Sequence, residues 1–179
     1  TTVPETTTTT AATTTTTAPP EDAELRIASF IPTVTMTAPS GWAIVEDPSI
    51  VGPTTFIDVG LGNYLVISSD GPQTSEEWLE SLQSLELELG EVTPTEVGGA
   101  SGFVVTARIG ENAVAQGCMS QERCVSLNQN WIVVEGAPNR IWVVDVEGKA
   151  VIIVTENTEG GFDHWVEEVE QVLATLAWG

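Results

Sequence analysis

The chain has 179 residues, 41% of them hydrophobic, with 5 Lys and Arg against 26 Asp and Glu, giving a formal net charge of -21 and a pI near 4.1. That balance repels a phosphate backbone and excludes polynucleotide binding; beyond this it informs solubility and steering rather than fold. No apolar run reaches the length of a membrane span, and the length suits one domain with a substantial core.

Residues 1 to 24 are dominated by threonine, with alanine and proline and no aromatic residue. Such a composition cannot bury a core, so a disordered tail or a stalk is expected, with a single globular domain over residues 25 to 179. The chain opens on Thr1 rather than Met, so either removal of a targeting segment or an excised piece of a longer chain is expected. Ile27 to Thr37 reads as an opening strand region interrupted by Pro32, and Pro39-Ser40-Gly41-Trp42 turns into Ala43 to Glu46. Asp47-Pro48 and Gly52-Pro53 break the chain. Thr55 to Val59 and Tyr64 to Ser68 then suggest a hairpin around Gly60 to Asn63.

Thr74 has N-cap chemistry, and Glu77 stands at capping-box spacing. Trp78, Leu82, Leu85 and Leu89 recur on one helical face, which predicts a helix over about 75–89 stopped by Gly90. Thr95 to Val97 and Phe103 to Ile109 flank a turn at Gly98 to Gly102. The last helix is expected over about 162–176, with Phe162, Trp165, Val166, Val169, Val172, Leu173 and Leu176 on one broad apolar face.

Between these lies the most strongly patterned stretch, WIVVEGAPNRIWVVDVEGKAVIIVT from Trp131 to Thr155. It reads as two consecutive hairpins: Asn130 to Val134 with Ile141 to Val146, then Ile141 to Val146 with Ala150 to Thr155 across a Glu147-Gly148 turn. Pairing Val134 with Ile141 and Val146 with Lys149 places Trp131, Val133, Trp142, Val144, Val151 and Ile153 on one face. Ile132, Val134, Ile141, Val143, Ile152 and Val154 then share the other. Both faces are apolar, so each needs a cover. The expected class is α+β: a three-layer α/β/α sandwich around a mainly antiparallel central sheet.

Residues suited to chemistry are sparse. Cys118 and Cys124, five residues apart in between, can close a small loop as a disulfide in an exported chain. Two Cys and one His do not make a zinc site, and no cofactor or metal is expected. His164 is the sole histidine and falls off the apolar face of its helix among Asp163, Glu167 and Glu168, so an exposed rather than catalytic role is favoured. No nucleophile elbow, phosphate loop, dinucleotide fingerprint or EF-hand loop occurs. With 26 acids some carboxylates must lie close together, which leaves a glycosidase pair open. Four of the six tryptophans fall on core faces; Trp42 and Trp178 are the candidates for exposed aromatic contacts.

The Pro39 to Trp42 turn after a strand, the Ser75-Glu76-Glu77-Trp78-Leu79 helix start, the late apolar strand pair and a closing helix that ends Leu173-Ala174-Thr175-Leu176-Ala177-Trp178 are similar to the PsbP-like superfamily. More particularly they resemble the LpqN-type lipoproteins of actinobacteria, over most of Ile31 to Trp178. The resemblance implies an α/β/α sandwich on an exported, often lipid-anchored protein, with no reaction and no site residues to carry over; the lipid-bearing cysteine expected upstream of a Thr-rich stalk is not in this chain. The expected function is a non-catalytic extracytoplasmic module that binds a protein or a small-molecule ligand, associated with a membrane only through such an anchor. A hydrolase using carboxylates or His164 is the alternative, and a self-associating structural module a third. The edges at Ala38 to Gly62 and Gly110 to Gln129 are where a local function is expected.

Overall fold

The computed structural model describes residues 22–28, 32–45, 53–59, 63–69, 71, 74–85, 87–111, 116–117, 123–127, 131–156 and 161–179. The Thr-rich segment through residue 21, the Asp47-Pro48 and Gly60-Leu61-Gly62 turns, Cys118 and Asn130 lie outside them. In chain order come β1 (Ala23–Ile27), β2 (Val34–Ala38), β3 (Ala43–Val45), β4 (Thr54–Asp58), β5 (Tyr64–Ser68) and α1 (Ser75–Ser84). Then follow β6 (Leu87–Leu89), β7 (Thr93–Val97), β8 (Ala100–Ile109), β9 (Gln116–Gly117), β10 (Arg123–Ser126) and β11 (Ile132–Val134). The chain closes with β12 (Asn139–Val146), β13 (Lys149–Glu156), α2 (Phe162–Leu173) and β14 (Ala177–Trp178).

The Ile- and Val-rich β12 and β13 pair in the expected register, Val146 with Lys149 and Trp142 with Ile153. Their turn residues Glu147 and Gly148 both take positive φ, 50° and 77°, the twist that a two-residue hairpin needs. β13 pairs outward with β5, and β12 with β8, so the pair sits in the middle of an antiparallel sheet ordered β3-β4-β5-β13-β12-β8-β6. β7 joins the same edge of that sheet by pairing with β8 across Gly98-Gly99, both also at positive φ. Two three-stranded sheets, β1-β2-β14 and β11-β10-β9, accompany it.

Both faces of the central sheet are covered, as their apolar character requires. Trp142, Val144, Val151 and Ile153 pack with Trp165, Val169 and Val172 of α2 and with Val34 and Met36 of β2. Ile141, Val143, Ile152 and Val154 pack on the other side with Trp78 and Leu82 of α1 and with Val133 of β11. Each fully buried Val or Ile contributes roughly 1.5–3 kcal/mol, which is why neither face is left to water. The protein is therefore an α+β fold with a mainly antiparallel central sheet and two main helices. Its arrangement is compatible with three layers, each cover being a helix together with strands.

Several boundaries differ from expectation for physical reasons. Helix α1 ends at Ser84, with Leu85 as its C-cap, and Leu87–Leu89 is strand β6 on β8. The alternation Leu85-Glu86-Leu87-Glu88-Leu89 has period two, and pairing with Ile109 to Ala107 gives those residues a ladder that a longer helix would forgo. The first of the two hairpins is not formed: Val134 pairs with Cys124 of β10, not with Ile141. Both backbone edges of β12 are occupied by β8 and β13, and β8 offers a register of six residue pairs against the three that β11 could supply. Trp131 and Val133 consequently join the Ile141 side of the sheet, and Ile132 is left 41% exposed.

The opening strand region resolves into the β1–β2 hairpin, with Ala23 opposite Ala38 and Ile27 opposite Val34. Helix α2 ends at Leu173; Leu176 stays buried beyond it, and Ala177–Trp178 becomes a strand on β2. Strand β8 starts at Ala100 and takes in Gly102, where an added Cβ would overlap the backbone carbonyl of Val143. That glycine is what lets β8 and β12 approach.

Candidate binding cleft

Among the described residues, the chemistry-bearing side chains named from the sequence do not converge. The side chain of His164 is 79% exposed, and its ring nitrogens lie 4.0 Å from Glu167 and 3.6 Å from Glu168 on the same helix face. No described serine, threonine or cysteine is bonded to it. Cys124 is buried and disulfide-bonded, while Cys118 is outside the described residues. Among the described residues, no group of three His, Cys, Asp or Glu is placed to hold a metal ion, and no helix is long and apolar enough to cross a membrane.

Trp42 and Trp178 are half-buried rather than presented to solvent. The Trp42 ring sits 5.7 Å from that of Trp165, so the Pro39–Trp42 turn braces α2. The Trp178 indole donates to the Val97 carbonyl at 2.9 Å and crowds Gly98, so the C-terminal strand pins the β7–β8 turn. Of the expected edge regions, residues 46–52, 60–62, 112–115, 118–122 and 128–129 lie outside the described residues. The described part of the second is held by Arg123, which donates to Glu135 at 3.0 Å and to the carbonyls of Gly110 and Glu111 at 3.1 and 3.2 Å.

A cleft of about 310 Å³ lies between edge strand β7, the sheet and the last turn of α2. Its apolar lining is Val97, Val104, Trp142 and Leu173, all buried, and Thr95, Glu96, Glu170 and Ala174 complete it. Glu170, Leu173 and Ala174 stand at i, i+3 and i+4 on α2 and therefore share one helix face. Thr95 and Val97 alternate with exposed Pro94 and Glu96 along β7; with Val97 opposite Ala100 and Pro94 opposite Phe103, Thr95 and Val97 face α2 and the cleft, while the Glu96 side chain stands on the other face of the sheet. Pro94 stands opposite Phe103 on this edge strand and has no N–H, which protects the edge against pairing with a further strand.

Arg140, one residue pair along β12 from Trp142, fixes the far side of Glu170. Its Nη1 donates to Thr106 Oγ1 at 3.1 Å, its Nη2 lies 3.8 Å from Glu170 Oε1, and its guanidinium carbon sits 6.0 Å from the centre of the Trp142 ring. Its Nε is buried without a hydrogen-bond partner. The last turn of α2 carries no basic side chain, so the partial negative charge of the helix C-terminus beside the cleft is not offset from within the helix. A second cleft of about 210 Å³ lies on the opposite flank of α2, lined by Asp22, Thr37, Ala38, Pro39, Glu168, Gln171, Val172 and Thr175. There Thr37 N donates to Thr175 Oγ1 at 2.8 Å, so two of its lining residues already satisfy each other.

Sequence reasoning did not single out the first cleft, because Glu96, Trp142 and Glu170 are far apart in the chain and each looks ordinary alone. The one available signal was Trp142 in a strand with Arg140 on the same face. The chain matches no protein-family model and no curated protein. Among solved structures it is similar to a crystal structure from Bacteroides thetaiotaomicron VPI-5482, solved at 1.50 Å resolution, with a TM-score of 0.44 and 15% identity. That match covers 82% of this chain and 45% of the other, so the chain spans less than half the length of the structure it resembles. A likeness at this level carries no argument about function.

Proposed function

We propose that the protein is a non-catalytic, extracytoplasmic binding module whose ligand surface is the β7–α2 cleft. The observation that carries this reading is the cleft itself, which joins a buried apolar floor to a polar rim without a nucleophile and base held in hydrogen-bond contact. Export is supported by the disulfide-bonded state of Cys124 and by the Thr-rich composition before the domain. The resemblance to PsbP-like proteins of the LpqN type agrees with a binding or assembly role and with a lipid-anchored neighbourhood in the cell envelope.

The competing hydrolase reading draws on Glu96 and Glu170 lining one cleft. Both are exposed, and Glu170 faces Arg140. A general acid working near neutral pH instead needs a recessed carboxyl whose environment favours the protonated form. Incubation with panels of aryl esters and aryl glycosides is expected to leave them unchanged, while small amphipathic fragments shift the NMR signals of Trp142 and Leu173. Turnover that disappears on Glu96→Gln, Glu170→Gln or His164→Gln substitution would overturn the binding reading.

A further inference from the structure

We infer that Trp178 is the positioning residue of the β7–α2 cleft: strand β14 acts as a latch whose indole ties the β7 wall to the α2 wall and keeps the cleft formed before a ligand arrives. The inference rests on the binding reading above and adds what holds that site in shape.

The two walls differ in how firmly they are held. The segment that follows α2 is fastened to β2: Thr37 N donates to Thr175 Oγ1 at 2.8 Å, Ala177 and Trp178 pair with Thr35 and Val34, and Gly179 N donates to the Thr33 carbonyl at 2.8 Å. The β7 wall has less support. Among the described residues its strand partner is β8 alone, from Thr93 opposite Val104 to Val97 opposite Ala100, and the turn that closes the hairpin is Gly98-Gly99, both at positive φ. Such an edge hairpin belongs to the low-stability end of a structure, where local opening is easiest.

Trp178 bridges the two walls. Its Nε1 donates to the Val97 carbonyl at 2.9 Å, and the Val97 side chain lines the cleft, so one residue carries both the latch bond and the wall. The contact continues at Gly98, where a Cβ would come within 2.7 Å of Trp178 Nε1 and 2.9 Å of the Leu176 carbonyl oxygen. The segment after α2 therefore lies directly on the turn. Leu173 and Ala174 of the opposite wall stand one helical turn before it in the chain, so the last turn of α2 and strand β7 are coupled through this indole.

Hydrogen exchange of the full chain, read by NMR, tests the latch, and hexanol titration tests its consequence. Trp178→Phe keeps an aromatic ring and removes the N–H. The protected amides of β7 are then expected to exchange about fivefold faster, the scale of one net hydrogen bond, with those of β12 and β13 unchanged. Trp178→Ala also removes the ring, and is expected to weaken hexanol by about fivefold or more because the β7 wall must then be ordered on binding. Affinity is followed from the Leu173 and Val97 methyl shifts, and the unfolding midpoint is recorded for each variant. Thr155→Val removes the acceptor of the Trp165 indole and is expected to lower that midpoint with hexanol affinity unchanged, which separates positioning from general stability. Unchanged β7 exchange in Trp178→Phe, or equal acceleration in β7, β12 and β13, overturns the latch. Hexanol binding that Trp178→Ala leaves unchanged also overturns it, while the binding reading stands. Absence of hexanol shifts in the parent overturns the binding reading and this inference together.

Discussion

Replacing Thr155 by valine tests whether the central sheet and its covering helix are joined by a satisfied polar contact. Thr155 lies on β13 with no exposed surface. Its hydroxyl receives the Trp165 indole N–H of α2 at 2.6 Å and donates to the Tyr64 carbonyl of β5 at 3.1 Å. Thr155→Val keeps the shape of the side chain and its strand propensity, so almost no cavity term arises. What changes is that a buried indole donor loses its partner and a carbonyl loses one of its bonds. An orphaned buried polar group costs about 1–3 kcal/mol, so a combined loss of about 3 kcal/mol is expected. In a domain of this size that lowers Tm by roughly 6–12 °C and removes a large share of a typical 5–15 kcal/mol stability. Urea unfolding followed by tryptophan fluorescence measures the free energy directly, with Thr155→Ser as the control that keeps the hydroxyl. The reasoning is refuted if Thr155→Val lies within about 0.5 kcal/mol of the parent, a change no larger than an ordinary surface substitution, or if Thr155→Ser is as unstable as the valine variant.

Gly102→Ala places a methyl group against the Val143 carbonyl and the Val144 backbone, where no side-chain movement can relieve it. A loss of about 3 kcal/mol or more is expected in the same urea assay, and a neutral result would show that β8 and β12 are further apart than described. Glu147 holds φ at 50° beside Gly148, a conformation that asparagine tolerates better than glutamate, so Glu147→Asn is expected to stabilise by about 0.5–1 kcal/mol. A loss of stability in that variant would contradict the turn geometry. Thiol titration of the denatured, unreduced protein is expected to find no free thiol, with Cys124 bridged to Cys118; reduction should lower stability by about 2 kcal/mol, the loop-entropy scale for so short a loop. Two titratable thiols would exclude the bridge.

The distribution of side chains along the chain already determined which segments build the core. The near-continuous apolar runs Ile141 to Val146 and Ala150 to Val154, split by Glu147-Gly148, suggested the register that the turn could close, and that register is the one found. Thr74 and Glu77 likewise specified the start of α1, because a capping box depends only on residues three apart and both of its bonds are present. Such features are local, so the chain itself encodes them.

What the sequence could not decide is competition between distant segments. Asn130 to Val134 has every local property of a partner for β12, yet β8 outcompetes it because a longer apolar strand supplies more ladder and more burial. Leu87 to Leu89 fits a helix face and a strand edge equally well, and the free edge of β8 settles it. The cleft is the extreme case. Val97, Trp142 and Glu170 meet only because a hairpin edge, a central strand and a helix end are brought together by packing on the sheet. Their shared shape exists at no level of the chain below the folded one.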